Sequence, residues 1–233
     1  MIAHRGASGT APENTLAAFG RAEALGAHMI ELDVQLSADG EVIVLHDDAV
    51  DRTTDGRGSA RSHTLAELRR LDAGSWFSPA HAGERVPTLA DVLQCVDIPV
   101  NVELKAGGGP ALEARALEVV QAQNALSRVV FSSFDHDSLA RLRGRSSAAE
   151  IAVLWADRGT QRPFFVAARV AATALHLRKN RVTEWVVSEA DRAGLEVRVW
   201  TINDPEEWVI FEDWGARAVF TDYPERFLQI SSS

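Results

Sequence analysis

A chain of 233 residues with 46% hydrophobic side chains has enough apolar material for one large core, and a closed barrel or a doubly wound sheet can use that length as a single domain. Its 33 acids against 24 bases give a formal charge of -9, which argues against nucleic acid as a partner because phosphate backbones need a basic surface. The single cysteine excludes an internal disulfide and a thiolate metal centre, and its place in Val92-Leu93-Gln94-Cys95-Val96 predicts a buried, inert thiol.

Met1 is followed at once by Ile2-Ala3-His4-Arg5-Gly6, which leaves no room for the charged and apolar regions of a signal peptide. No apolar run approaches membrane-spanning length, so the expectation is a cytoplasmic protein without stable membrane insertion. Self-association into a homo-oligomer stays open.

Short apolar runs then alternate with helix-like segments, the signature of repeated βα units and a parallel sheet. Strands are predicted over 2–6, 29–35, 100–105, 129–134, 151–155, 172–177, 197–202 and 218–221. Between them, Leu16, Phe19, Ala22 and Leu25 recur at helical spacing, with Asn14 or Thr15 as the cap and Gly26 as the stop. Asp204-Pro205 starts a last helix that Gly215 ends. Eight such units predict a (β/α)8 TIM barrel occupying 1–233, with an open doubly wound sheet as the alternative. The stretch 47–97 is long for one connection. Its two short helical patterns, 64–71 and 88–96, flank an irregular segment with Trp76 and Phe77, and it reads as a lid over one barrel mouth.

The stretch from Met29 to Asp48 organises the chemistry. Side chains alternate along a strand, so Glu31 and Asp33 share one face while Ile30, Leu32 and Val34 share the other. Asp39-Gly40 signals a two-residue hairpin, and the return arm 42–46 brings His46 roughly opposite Asp33. Polar residues also close the other predicted strands: His4 and Arg5, Glu103 and Lys105, Trp200, and Asp222. In a barrel those ends form the catalytic face. Glu31, Asp33 and Glu103 offer only hard oxygen donors, which suit one divalent ion, Mg2+ or Ca2+. The bland alternative is surface charge or salt bridges to Arg5 and Lys105. Those two cations beside the acids suit a phosphate, and His4 and His46 suit proton transfer near neutrality.

Taken together, His4-Arg5-Gly6, Pro12-Glu13-Asn14-Thr15, Glu31-Leu32-Asp33-Val34-Gln35, Leu45-His46-Asp47, Asp51-Arg52-Thr53-Thr54, Pro87-Thr88-Leu89, Val102-Glu103-Leu104-Lys105, Val199-Trp200-Thr201-Ile202-Asn203 and Thr221-Asp222-Tyr223-Pro224 resemble the glycerophosphodiester phosphodiesterase family from first strand to last. The resemblance implies a barrel of the phospholipase-C-like phosphodiesterase kind, with metal ligands Glu31, Asp33 and Glu103. It also implies acid-base catalysis by His4 and His46, phosphate binding by Arg5 and Lys105, and Trp200 along the glycerol side. Val50 replaces the family's usual leucine, a core-type change. The expected reaction is metal-dependent hydrolysis of a small glycerophosphodiester to sn-glycerol 3-phosphate and an alcohol. One alternative is release of the head group from a lysophospholipid, as a lysophospholipase D does; another is a module that binds phosphodiesters without turnover. Residues 157–179, with Arg158, Arg162, Arg169, Arg178 and Lys179, carry no motif of the resemblance; they read either as tuning the alcohol part of the substrate or, preferably, as solvated helix surface.

Overall fold

In the computed structural model, which describes residues 1–156 and 161–228, the short apolar runs close on themselves. Strands β1 (Ile2–Ala3), β2 (Met29–Leu36), β4 (Val100–Leu104), β5 (Val129–Ser133), β6 (Glu150–Trp155), β7 (Ala174–Arg178), β8 (Glu196–Trp200) and β9 (Ala218–Thr221) are parallel. β1 pairs with β9 on one side and β2 on the other, so the ring has no free edge and the open-sheet alternative is excluded. The expected (β/α)8 barrel is what the chain forms.

β3 (Val42–Val44) is the antiparallel return arm, with Val34 opposite Val44. The connection is wider than the two residues predicted: Leu36 pairs with Val42, and the amide of Ser37 donates to the Glu41 carbonyl at 3.0 Å. Asp39 explains the extra width. Its carboxylate accepts from Ser37 Oγ at 2.6 Å and from the Leu65 amide at 2.9 Å, so it ties the loop to the next segment instead of closing a tight turn. Gly40 supplies the left-handed residue there (φ +80°).

Helices α1 (Leu16–Ala24), α4 (Gly109–Ala122), α5 (His136–Arg145), α6 (Gln161–Val170), α7 (Glu184–Arg192) and α8 (Pro205–Asp213) follow strands around the ring. Thr15 caps α1 and Asp204 caps α8, where Pro205 occupies the first turn. The main core lies between strands and helices, where Ile30, Leu32, Val102, Leu104, Phe131 and Ile151 are fully or almost fully buried, each side chain worth about 1.5–3 kcal/mol. Inside the barrel a small apolar plug of Val130, Ala152 and Ala174, with Met29 against it, closes one end. Above the plug the β2–β4 side of the interior is polar, because the inward positions there are Glu31, Asp33, Asn101 and Glu103.

Two bodies of packing share the segment 47–97. Residues up to Val86, including the single turn α2 (Leu65–Leu68), gather around Ile43, Leu45, Val50, Ala60, Leu68 and Ala73 as a second core. α3 (Leu89–Cys95) instead packs into the main core through Leu89, Val92 and Leu93, in the place of the crossover helix between β2 and β4. That placement corrects the expectation for Cys95, which is exposed. Leu89, Val92, Leu93 and Val96 take the inward stripe at i, i+3, i+4 and i+7, so Gln94 and Cys95 fall on the outer face.

Candidate active site

Parallel register makes the acidic centre. Glu31 lies beside Asn101 and Asp33 beside Glu103, so inward residues of two neighbouring strands meet at one level. One oxygen from each of Glu31, Asp33 and Glu103 falls within 4.8 Å of the others, and all three residues are buried. Buried carboxylates need partners. Lys105 Nζ donates to Glu103 Oε1 at 2.9 Å and to Asp33 Oδ1 at 3.3 Å. Asn14 Nδ2 donates to Asp33 Oδ2 at 2.9 Å, and Arg5 Nε stands 3.5 Å from that oxygen. Among the described residues, Glu31 accepts only from a backbone amide, that of Arg5, at 2.9 Å.

A local fold feature aims that amide. Arg5 and Gly6 are both left-handed (φ 57° and 80°), turning the chain sharply after β1. A Cβ on Gly6 would come within 2.7 Å of the Ala18 backbone, so only glycine fits. Arg5 pays roughly 1–2 kcal/mol for its conformation, offset by its amide bond to Glu31 and its guanidinium bond to Glu13 at 2.8 Å. Asn14, also left-handed, tolerates that backbone better than most residues.

Two cations face three carboxylates, and the imbalance shows in the titration of the cluster. Burial, then repulsion from Asp33, pushes Glu31 up to about 8. Glu103 is raised for the same two reasons, with Lys105 opposing. Burial also works against the Asp33 charge, but Lys105, Arg5 and His46 outweigh it and hold Asp33 below its ordinary value. An all-oxygen donor set carrying excess negative charge fits a hard divalent ion.

Each of the two predicted histidines has its own carboxylate. His4 Nδ1 donates to Asp222 Oδ1 at 2.7 Å, and His46 Nδ1 donates to Asp47 Oδ1 at 2.6 Å. A carboxylate only accepts, so the proton sits on Nδ1 and Nε2 is left free to exchange one. Asp222 also accepts from Asn203 Nδ2 at 2.8 Å and Ser8 Oγ at 3.1 Å. Burial opposes its charge, yet the bond from His4 prevails and brings Asp222 down to about 2. For His4 burial opposes the cation, while Asp222 and Glu31 together raise its pKa.

A cleft of about 440 Å³ receives these groups. His4, Arg5, Glu31, His46, Glu103 and Lys105 form its polar wall; Phe134, Leu154, Trp200 and Phe220 form the apolar one. Trp200 is fixed by a bond from its indole N–H to the His176 carbonyl at 3.1 Å and by edge-on contact with Phe134, centroids 5.8 Å apart. Of the predicted site residues only Asp33 does not line the cleft, since its oxygens are covered by Asn14, Arg5 and Lys105. Read from the chain alone, Asn14 offers only a helix cap, and Asp47, Asn203, Phe134, Leu154 and Phe220 carry no assigned role. Pro12-Glu13-Asn14 and Leu45-His46-Asp47 did contain the first two, but adjacency in a motif does not tell which side chain meets which.

Other expectations resolve as structural contacts. Trp76 donates to the Ala73 carbonyl at 2.9 Å and packs edge-on against Phe77 within the insertion, away from the cleft lining. Arg169 pairs with Asp137 at 2.8 Å and Lys179 with Glu207 at 2.8 Å, as surface helices do. Arg162 and Arg178 are exposed, and Arg158 lies outside the described residues. No helix among the described residues is long and apolar enough to cross a membrane.

Comparison with known proteins agrees with this geometry. The profile of the glycerophosphoryl diester phosphodiesterase family matches residues 4–226. A glycerophosphodiester phosphodiesterase of Caldanaerobacter subterraneus is 38% identical over 235 residues, covering 99% of this chain and 96% of its own. One from Bacillus altitudinis is 34% identical over 238 residues, covering 99% and 97%. A phosphodiesterase of Oleispira antarctica, solved in complex with the product sn-glycerol 3-phosphate, superposes with a TM-score of 0.95 at 33% identity, covering 100% of this chain and 96% of that one. The paired carboxylate–histidine units, the acidic centre and the extent of these likenesses lead to one conclusion: the chain belongs to the glycerophosphoryl diester phosphodiesterase family, a family of phosphodiester hydrolases.

Proposed function

We propose that the protein hydrolyses small glycerophosphodiesters to sn-glycerol 3-phosphate and an alcohol, using His4 and His46 as general acid and base. The observation that carries this reading is that both imidazoles line one cleft with the acidic centre, each held by its own carboxylate. One Nε2 removes a proton from the attacking hydroxyl; the other gives a proton to the departing alkoxide as its bond to phosphorus breaks. Arg5 and Lys105 hold the phosphoryl oxygens and offset charge that builds on them. Trp200 and the aromatic wall pack the glycerol carbons and keep water from that side.

Glu31, Asp33 and Glu103 would hold one Mg2+ or Ca2+, which supplies Lewis-acid stabilisation of the phosphoryl oxygens when bound. Lys105 bridges two of the three carboxylates and keeps them converged. Residues 1–233 then form one catalytic domain in which the 47–86 part of the expected 47–97 lid caps the barrel mouth, while α3 serves as the crossover helix. Its support is that Asp47 and Arg52 reach His46 and Glu13. An apolar groove for a lysophospholipid chain finds no support in the insertion, whose buried apolar residues pack on one another.

The test is release of glycerol phosphate from a panel of glycerophosphodiesters that differ in head group, with a lysophospholipid included, in EDTA and after adding Mg2+ or Ca2+. Metal-restored release from the small diesters is expected. Full activity in EDTA would remove the metal, and turnover of the lysophospholipid alone would remove the substrate assignment.

A further inference from the structure

Arg52 stands outside the cleft lining, yet it is bonded to both sides of the machinery. Its Nη1 and Nη2 donate to Glu13 Oε2 and Oε1 at 2.7 and 2.8 Å, and its Nε donates to Asp47 Oδ2 at 2.5 Å. Glu13 Oε1 also accepts from Arg5 Nη1 at 2.8 Å. Asp47 accepts from His46 Nδ1 through its other oxygen. A continuous chain of hydrogen bonds therefore runs around the mouth from His46 through Asp47, Arg52 and Glu13 to Arg5, and Arg52 is the middle link.

We infer that Arg52 is a positioning residue that fixes the His46 imidazole and the Arg5 guanidinium relative to each other, so that proton transfer and phosphate binding are aligned from one point. The inference rests on the roles proposed above for His46 and Arg5. Three features favour orientation over stability. The Arg52 side chain is 45% exposed, and ion pairs so open to solvent stabilise a fold little. All of its assigned bonds go to carboxylates that hold a cleft residue, and none goes to the second core a few residues away. The fork presents three donors to two carboxylates at once, which a point charge cannot do.

Kinetics of Asp47→Asn, Glu13→Gln, Arg52→Gln and Arg52→Lys separate the two arms, with inhibition by sn-glycerol 3-phosphate as the readout of phosphate binding. Asp47→Asn should lower kcat and leave product inhibition near wild type. Glu13→Gln should weaken product inhibition more than it lowers kcat. Arg52→Gln should do both, each by the ~10–100-fold usual when a group that orients a site residue is removed. Arg52→Lys should recover part of the product binding and little of kcat. Adding Glu13→Gln to Arg52→Gln should weaken product inhibition no further.

Wild-type kcat and product inhibition in Arg52→Gln would overturn the inference, as would a fall in melting temperature with both constants kept. Fully additive losses in the Glu13 and Arg52 pair would overturn it too. A crystal structure of Arg52→Gln decides the geometry without any substrate: His46 and Arg5 both displaced supports the link, and both unmoved refutes it. If wild type turned over no glycerophosphodiester, the proposed function would fall while this structural arm still decided the role of Arg52.

Discussion

Asp33 and Glu103 are register partners on β2 and β4, and the Lys105 ammonium reaches both of their carboxylates. Strand pairing, not loop conformation, thus brings the acids together, so the centre is as rigid as the barrel wall. Glu31 joins them from one pleat below Asp33, with no cation among the described residues bonded to its side chain.

That asymmetry predicts a pH effect. Folding raises the Glu31 carboxyl from 4.5 to about 8 through burial and then the Asp33 charge. Between those values the unfolded chain has released this proton while the folded chain holds it, so stability falls as pH rises through the interval. In EDTA, melting temperature should decline less steeply from about pH 5 to 8 for Glu31→Gln than for wild type. Saturating Mg2+ or Ca2+ should flatten the wild-type curve, because the ion replaces the proton. Parallel curves for the two proteins in EDTA would refute the burial argument.

His4→Ala and His46→Ala should each lower kcat by at least the ~10²-fold typical of general acid-base groups, with the fold intact by circular dichroism. Substrates with a more acidic leaving alcohol should recover much of the loss in whichever variant has lost the general acid. Unchanged turnover in either variant would remove that histidine from the mechanism.

Asp222→Asn keeps the size of the side chain but replaces an acceptor that fixes the His4 tautomer. A loss of about 10–100-fold in kcat is expected, with substrate KM less affected. Asp222 lies outside the acidic centre, so metal affinity measured by calorimetry should stay near wild type. A variant whose defect is entirely in metal affinity would contradict the assignment to His4.

Cys95 is exposed, and burial of its surroundings, with Glu23 and Glu84 nearby, raises its thiol above the ordinary value. A raised thiol is a weak nucleophile at neutral pH. Cys95→Ser should change stability by no more than about 0.5 kcal/mol and leave kcat unchanged, and alkylation of the wild-type thiol should not inhibit. Inactivation by alkylation would give Cys95 a role that nothing in its surroundings indicates.

The short apolar runs of the strands, the capped helices between them and the polar strand ends were legible in the chain, because each is a local regularity of a few residues. Glu31 and Asp33 could be put on one face from spacing alone, and His46 near them from the hairpin. The hairpin's width was not legible, since Asp39 is drawn to the Leu65 amide across the fold. Nor was the exposure of Cys95, which depends on where the stripe of α3 meets the barrel.

By itself, then, the sequence determined the order of elements, the repeated βα architecture and which residue types lie at the catalytic end. Only the tertiary structure decided which carboxylate holds which imidazole, that Asn14 and Lys105 share Asp33, and that Arg52 ties Asp47 to Glu13. Pattern along a chain is set by neighbours a turn or a pleat away. Partnership between charged side chains is set by the barrel's register, which brings together groups that no local spacing relates.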